Sequence, residues 1–285
     1  MSIRLSKVGF QYARGLPWEN TALKNIDLEI KSNEMLGIIG PTGSGKTTLL
    51  QLMNGIRHPS EGQVLIDNQD PAKAKGRDVA RLRQKVGLVF QSPEDQLFAN
   101  SVYEDIAFGP RNLGFTGPEL EDRVRWAMEI LELSFEEFSQ RRPQTLSGGQ
   151  KRRAAIAGIL ALKPEYIILD EPTAGLDPEG RKGLLTLLKK LREEQGMGVV
   201  MVSHRLQDII STCDRIAVLV AGEIVKAGLP QEVLQDGEEL NELGLELPPV
   251  NKVLYELKKV FPHLDVTPVG AAAIAGEIDR ALRNQ

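Results

Sequence analysis

The stretch GPTGSGKT, residues 40–47, constrains the fold of this chain more than any other part of the sequence. It fits the pattern G-x-x-x-x-G-K-[ST] and lies between a short apolar run, MLGIIG, and the helix-like KTTLLQLMNGI. In that order of strand, glycine-rich loop and helix, backbone N–H groups and a helix N-terminus bind phosphate oxygens. The loop therefore predicts an α/β fold that binds a nucleotide.

Each residue type in this loop predicts its own contact with the ligand. Gly43 and Gly45 permit the backbone to wrap with its N–H groups pointing inward. Lys46 supplies a positive charge for the β- and γ-phosphates, and Thr47 supplies a hydroxyl for Mg²⁺. We therefore expect ATP and Mg²⁺ as ligands. The nucleotide-binding residues expected from this region are Gly40, Pro41, Thr42, Gly43, Ser44, Gly45, Lys46, Thr47 and Thr48.

A second buried strand ends in two acidic residues, in YIILDEP at 166–172. At the end of that strand Asp170 can hold Mg²⁺, through a water molecule. Glu171 is then free to orient or deprotonate an attacking water. Without the phosphate loop, an acidic pair at this place would indicate a helix cap or a solvated turn.

Two further strand ends carry candidate side chains. His204, in VSHRL at 202–206, ends an apolar strand. It therefore lies at the carboxyl edge of the sheet, where α/β folds bind their ligands, and this position favours a contact with the γ-phosphate. Gln91 follows KVGLVF, and its neutral amide can reach a metal ion or a water; the alternative is a polar strand terminus. His58 and His263 have no such context, and we assign them no role.

Composition limits the compartment and the partners. The 285 residues carry a net charge of −4, so no basic face for nucleic acid is expected. The single cysteine, Cys213, rules out an intrachain disulfide, fits a reducing compartment and is expected to be buried. The N-terminus MSIRLSKVGFQY lacks the apolar core of a signal peptide, and AAIAGILAL is too short to span a membrane.

Strand and helix patterns alternate along the chain and predict a mainly parallel α/β sheet. The alternating runs IRLSKVGFQY and ALKNIDLEI predict an additional antiparallel β-layer at the N-terminus. The predicted division is an ATP-binding domain over 1–230, with an inserted helical subdomain at about 92–162. Residues 231–285 are predicted to be a small C-terminal helical extension, in which the stretch 231–261 has two helical pieces separated by Pro248-Pro249.

The stretch TLSGGQKRRAAIAG, residues 145–158, places Ser147, Gly148 and Gly149 at the start of a predicted helix. The Gly-Gly pair is common in turns. A hydroxyl and bare backbone N–H groups at a helix N-terminus also form an anion site. The basic residues at 151–153 add positive charge nearby, although a solvated or salt-bridged helix face explains them equally well.

Together these motifs resemble the ATP-binding-cassette (ABC) ATPases, over residues 1 to about 230. GPTGSGKT matches Walker A, YIILDEP matches Walker B with its following glutamate, and LSGGQ (146–150) matches the family signature. AGLD (174–177) matches the D-loop, while Gln91 and His204 match the Q-loop and the switch histidine. A P-loop kinase would lack LSGGQ. A soluble cassette acting on DNA or ribosomes usually has two cassettes or a long coiled coil.

The resemblance implies roles for individual residues. Glu171, His204, Gln91 and Lys46 would be catalytic, and Thr47, Gln91 and Asp170 would be metal ligands. The signature would face ATP bound on a second ATPase subunit. Residues implied to contact nucleotide in this way are Ser147, Gly148, Gly149, Gln150 and Asp177. Tyr12 is the expected aromatic partner of adenine, with Phe10 as the alternative.

A narrower resemblance comes from SPEDQLFANSVYEDIAFGPRNLG (92–114), SGGQKRRAAIAGILAL and GLELPPV. They are similar to the ATPases of energy-coupling-factor transporters, which import vitamins and metal ions. A conventional ABC importer, with its own permease pair, is the alternative.

This resemblance implies a second ATPase, identical or related, a membrane scaffold (T-type) protein and a substrate-binding (S-type) membrane protein. The chain would be peripheral, at the cytoplasmic face of the cell membrane. Glu94 and Asp95 could pair with scaffold arginines, while Leu97 and Phe98 fill a groove. The amphipathic VNKVLYELKKVF in the extension would help to join the two ATPases.

Overall fold

The computed structural model describes residues 2–235, 237–266, 268 and 270–283. The predicted domains also include residues 1, 236, 267, 269, 284 and 285, which lie outside the described residues. The strands are β1 Ser2–Tyr12, β2 Asn20–Lys31, β3 Met35–Ile39, β4 Glu61–Ile66, β5 Val86–Val89, β6 Tyr166–Asp170, β7 Gly198–Val202, β8 Arg215–Val220 and β9 Glu223–Gly228. The helices are α1 Lys46–Met53, α2 Arg77–Lys85, α3 Val102–Asn112, α4 Gly117–Ile130, α5 Phe135–Phe138, α6 Gly148–Leu160, α7 Pro178–Gln195, α8 Leu206–Thr212, α9 Pro230–Val233, α10 Gly237–Glu242, α11 Pro249–Val260 and α12 Ala271–Arg283.

The main sheet has six strands in the order β5-β6-β7-β3-β8-β9. The first five are parallel, and β9 returns antiparallel to β8 through the turn at Ala221-Gly222, as the sequence predicts. Strands β3, β6 and β7 are buried along their whole length, because helices or a second sheet cover both faces. The carboxyl ends of β3, β6 and β7 therefore meet at one edge.

A smaller antiparallel sheet, in the order β2-β1-β4, forms the predicted N-terminal layer. Its inward side chains, including Ile3, Leu5 and Ile30, share a core with α1 residues Leu49 and Leu52. Helix α1 is thus held between the two sheets. The predicted fold class is confirmed.

The two faces of the main sheet contribute to different cores, with the period of two expected of a strand. In β3, Leu36 and Ile38 face the small sheet and α1. Met35 and Ile39 face the helices, packing with residues of α3, α4, α6 and α7. The loop that follows β3 therefore leaves a strand that is fixed on both sides.

Three helices, α9, α10 and α11, occupy the described part of the stretch for which two pieces were predicted, and α12 follows them. Pro249 occupies the first turn of α11, where its missing N–H costs no hydrogen bond. Val233, Leu240 and Leu247 pack in the main helical core, whereas Leu254 and Ile274 belong to a small separate cluster. The proposed boundary at 230/231 stays a prediction. Among the described residues, no helix has the length and apolar character needed to cross a membrane.

Candidate nucleotide site

The phosphate loop joins β3 to α1 and presents its backbone around an open space. Gly43 has φ +79°, and a Cβ added there would meet no atom within 4 Å. Gly45 has φ +103°, and a Cβ there would lie 2.6 Å from the Ala22 carbonyl oxygen. Glycine is required at residue 45 both by the backbone and by the approach of β2. The N-terminus of α1 consequently opens directly onto the cradle.

Lys46 is buried at the mouth of this loop, with 8% of its surface exposed. Its Nζ donates hydrogen bonds of 2.8 Å to the carbonyl oxygens of Gly40 and Pro41. Burial lowers the pKa of the ammonium, and the charges of Glu171 and Asp170 oppose that shift. The lysine is thus held at the loop that the sequence assigns to phosphate.

Thr47 and Asp170 connect the phosphate loop to the end of β6. Thr47 Oγ1 donates to Asp170 Oδ2 at 2.7 Å. Nearby in the loop, the buried Ser44 Oγ has no hydrogen-bond partner among the residues that the structure describes. A hydroxyl beside a buried carboxylate is a hard-oxygen donor set that suits Mg²⁺. These residues therefore fit the metal that the phosphate loop implies.

Glu171 follows Asp170 in a left-handed backbone conformation, with φ +52°. Its Oε2 accepts from the His204 backbone N–H at 3.2 Å, and its Oε1 lies 3.2 Å from His204 Nε2. Glu171 is 6% exposed, whereas the His204 side chain is 55% exposed. Burial raises the pKa of the Glu171 carboxyl, and the hydrogen bond from His204 opposes the shift. A buried carboxylate that readily takes up a proton suits a general base.

Gln91 and the two aromatic candidates lie around this cluster. Gln91 is exposed and follows β5, which is paired in parallel with β6, so it starts from the same edge as Asp170. Phe10 is only 8% exposed and belongs to the core between the sheets. Tyr12 is half-buried, and its hydroxyl lies 2.9 Å from Thr48 Oγ1. The Arg57 guanidinium lies 4.8 Å from the centre of the Tyr12 ring.

The signature segment begins α6 with a reciprocal cap. Ser147 Oγ accepts from the Gln150 N–H at 3.3 Å, and Gln150 Oε1 accepts from the Ser147 N–H at 2.9 Å. A Cβ added at Gly148 or Gly149 would meet nothing within 4 Å. The cap fixes the helix start, and the two glycines leave its first N–H groups open to an external group.

The signature lies in a different depression from the phosphate loop. A groove of 1050 Å³ is lined by residues 147–150 on one side and by 174–177 on the other. Asp177 caps α7 there, with Oδ1 accepting from the Gly180 N–H at 2.7 Å. None of residues 40–47, all of which the structure describes, lines this groove. The sequence-predicted site is therefore divided into two sets within one chain.

Arg152, for which the sequence offered either nearby positive charge or a salt-bridged helix face, forms a salt bridge and connects several of these segments. Arg152 is 4% exposed and forms a bidentate pair with Glu94, through Nε–Oε2 at 3.0 Å and Nη2–Oε1 at 2.7 Å. Its Nη1 donates to the carbonyl oxygens of Pro172, at 3.0 Å, and Ala174. Within the chain, Arg152 holds both oxygens of the Glu94 carboxylate, and the pairing of Glu94 with a partner's arginine stays a prediction.

The C-terminal extension also reaches the phosphate loop, which no sequence pattern indicated. A cavity of 260 Å³ is bounded by residues 40–42, by His204 and by residues 244–246. Gly244, with φ +76°, ends the turn after α10 and brings its backbone against Pro41. The extension thus forms one wall of a cavity beside His204 of its own chain.

Comparison with known proteins places these features among ATP-binding subunits. The family model for ABC transporters matches residues 23–174. "Energy-coupling factor transporter ATP-binding protein EcfA2" of Clostridium perfringens (strain 13 / Type A) is 44% identical over 258 residues, 90% of either chain. The protein of the same name from Caldanaerobacter subterraneus subsp. tengcongensis is 46% identical over 259 residues, 91% of this chain and 90% of the relative.

Solved structures agree with the sequence relatives. CbiO1 of Clostridium perfringens, described as part of the ABC transporter complex cbiONQ, has a TM-score of 0.76 and 35% identity. The match covers 89% of this chain and 98% of that one. The dimeric ATP-binding cassette MJ0796 bound to ADP and Pi has a TM-score of 0.71 and 34% identity, covering 80% of this chain and 98% of that one.

Proposed function

This chain belongs to the ABC transporter family, and we propose that it is the ATP-hydrolysing subunit of an energy-coupling factor importer. The observation that carries the proposal is the meeting of Lys46, Thr47, Asp170, Glu171 and His204 at one edge of the main sheet. A buried cation, a hydroxyl–carboxylate pair and a buried base are the parts that phosphoryl transfer to water requires.

The metal site of this proposal consists of Thr47, Asp170 and Gln91. Thr47 Oγ1 and the Asp170 carboxylate already face each other, and the Gln91 amide starts from the adjacent strand. Mg²⁺, when bound there, supplies positive charge against the phosphate oxygens. The chain's part is to hold these oxygen donors at the end of β6, beside the mouth of the phosphate loop.

Hydrolysis assigns one task to each remaining side chain. Glu171 accepts a proton from the attacking water, whose oxygen forms the new bond to the γ-phosphorus as the bond to ADP breaks. Lys46 stabilises the negative charge that spreads over the transferring group. His204 holds Glu171 through its backbone N–H, and its exposed imidazole would contact the γ-phosphate. Tyr12, rather than the buried Phe10, offers an accessible ring for adenine.

The second set of residues acts on ATP held by another ATPase subunit. The groove between 147–150 and 174–177 contains no residue of the chain's own phosphate loop, which supports action across a dimer. The capped start of α6 then directs its open N–H groups at the partner's phosphates. Two such chains, identical or related, would close on two ATP molecules and exclude bulk water.

A membrane partner docks beside the signature helix in this proposal. Phe98 is 67% exposed and Phe108 is 48% exposed, and their rings contact edge to face at 5.0 Å. Asp95 is exposed in the same segment. An aromatic pair with an adjacent acid suits a scaffold helix that presents arginine. The chain would then lie at the cytoplasmic face of the membrane and power uptake of a vitamin or transition-metal ion.

The proposal is tested by capture of the tagged chain from detergent-solubilised membranes of its own host, followed by mass spectrometry and an ATPase assay. We expect a transmembrane scaffold, small substrate-binding membrane proteins and ATP hydrolysis in the captured complex. Recovery of a dedicated permease pair would reassign the chain to the conventional importers. Recovery of no membrane protein would contradict the transport function.

A further inference from the structure

One guanidinium connects three segments that the proposed function uses separately. Arg152 lies in α6, directly after the signature. Its Nε and Nη2 hold the carboxylate of Glu94, in the 3₁₀ turn Pro93–Gln96 that follows Gln91. Its Nη1 holds two carbonyl oxygens, those of Pro172 and Ala174. Arg152 is thus shared between the partner-docking segment and the loop that leaves Walker B.

The two carbonyls belong to the stretch that positions the reacting groups. Pro172 directly follows Glu171, and Ala174 lies three residues before Asp177. A displacement of these carbonyls would therefore change the placement of the base on one side and of the D-loop on the other. Because the Arg152 side chain is 5% exposed, the fork has little freedom to find other partners.

The two hydrogen bonds from Arg152 to Glu94 connect the guanidinium with the surface that is proposed to face the membrane partner. The 3₁₀ turn that carries Glu94 continues directly into Leu97 and the exposed Phe98. A partner that contacts Phe98 and displaces this turn would also displace Glu94, and with it the Arg152 guanidinium. Both oxygens of the Glu94 carboxylate accept hydrogen bonds from the charged guanidinium. The pair therefore fixes the orientation of Glu94 relative to Arg152 as well as the distance between them.

The neighbouring arginine shows that this arrangement is not a general property of the helix. Arg153 donates to the Leu131 carbonyl oxygen at 3.3 Å and to Glu132 Oε2 at 3.2 Å. Neither of these two partners belongs to the loop 171–177. The Arg153–Glu132 pair therefore offers a second, more exposed arginine–glutamate pair for comparison, in which Glu132 also pairs with Lys190.

We propose that Arg152, held by Glu94, is a positioning residue that couples docking of the membrane partner to the placement of Glu171 and Asp177. The inference rests on the proposed ATPase and transport function and adds a residue to it. The Arg152 guanidinium contacts Glu94 and the carbonyl oxygens of Pro172 and Ala174, to which the proposed mechanism assigns no reacting atom. It acts through the Pro172 and Ala174 carbonyls, so its loss should change turnover rather than nucleotide binding.

The test compares Glu94→Gln with Glu132→Gln in the complex captured from host membranes and in the isolated chain. We measure kcat and KM for ATP, and the Kd for ATP in the absence of Mg²⁺. Glu94→Gln should lower kcat of the complex about tenfold, with KM and Kd changed less than about twofold. It should also remove most of the difference in kcat between the complex and the isolated chain. Glu132→Gln should behave as wild type.

A second variant and a second readout separate positioning from a loss of folding. Arg152→Lys keeps the charge but not the fork, so it should reproduce the loss of kcat. Hydrogen exchange of the amides at 173–177 should accelerate in Glu94→Gln and stay unchanged in Glu132→Gln. Equal kcat and equal exchange in the two glutamate variants would overturn the inference. A wild-type complex without ATPase activity would instead overturn the proposed function.

Discussion

Thr47 Oγ1 donates a 2.7 Å hydrogen bond to Asp170 Oδ2, across 123 positions of sequence. The bond closes the space between the phosphate loop and the end of β6. It also holds both oxygens at the place where the proposed site needs a metal. We therefore expect nucleotide binding to depend on Mg²⁺ through Asp170.

Substitution Asp170→Asn tests this dependence. The variant keeps the size of the side chain and a hydrogen bond with Thr47 but removes the charge. Wild-type chain should bind ATP more tightly with Mg²⁺ than without it. In Asp170→Asn the increase in ATP affinity caused by Mg²⁺ should be about 10- to 100-fold smaller than in wild type, as expected for the loss of ~1.5–3 kcal/mol from a charged contact. An unchanged gain from Mg²⁺, measured by titration calorimetry, would exclude Asp170 as a ligand.

The raised pKa of Glu171 predicts the acidic limb of the pH–rate profile. Burial favours the protonated carboxyl, and only the deprotonated form accepts a proton from water. Activity should therefore be complete above the raised pKa and fall as the pH drops through it, at a pH above the ordinary range of a glutamate. Steady-state kcat across pH measures the limb, with thermal unfolding at each pH as the control for acid denaturation. A limb at or below the ordinary glutamate range would contradict the assignment.

Tyr12 and Phe10 differ in exposure, and that difference predicts different effects on ATP affinity. Tyr12→Ala should raise the Kd for ATP by about 5- to 100-fold, because stacking on a base contributes ~1–3 kcal/mol. Tyr12→Phe keeps the ring and loses only the contact with Thr48, so it should bind nearly as wild type. If both variants weaken ATP binding equally, the hydroxyl rather than the ring is responsible.

The exposed aromatic pair predicts a variant that separates docking from hydrolysis. Phe98→Ser should leave kcat of the isolated chain unchanged and lower recovery with host membrane proteins about tenfold, the usual effect of removing an aromatic anchor. Trp18 is 70% exposed on the loop between the first two strands and provides the matched control. Trp18→Ser should be recovered as wild type. Equal recovery of both variants would place the docking surface elsewhere.

Local patterns predicted much of this molecule because they are set by neighbouring residues. The phosphate loop follows from glycine positions between an apolar run and a helix, and the strand that ends at Asp170 follows from the apolar run YIIL at 166–169. The order of strands and helices then predicted the parallel sheet and the antiparallel layer. The same reasoning predicts that Thr47 and Asp170 lie at one edge of the main sheet.

Contacts between distant segments could not be predicted in the same way. Arg152 and Glu94 are 58 positions apart, and each fits a solvated helix face or an acidic loop when considered alone. The approach of Gly244 to Pro41 depends on how the extension packs its leucines on the helical core, which periodicity does not specify. The missing information in both cases is tertiary packing.

In the proposed mechanism Glu171 is the base for ATP hydrolysis, at a site completed by a second ATPase. Phosphate release and molecular mass in the presence of ATP, compared for wild type and Glu171→Gln, test it most directly. The ATPase is assayed alone and with any second ATPase that co-purifies. We predict that the variant binds ATP, loses about 10²- to 10⁴-fold in turnover and accumulates a closed dimer. Turnover at the wild-type rate in Glu171→Gln would contradict the account.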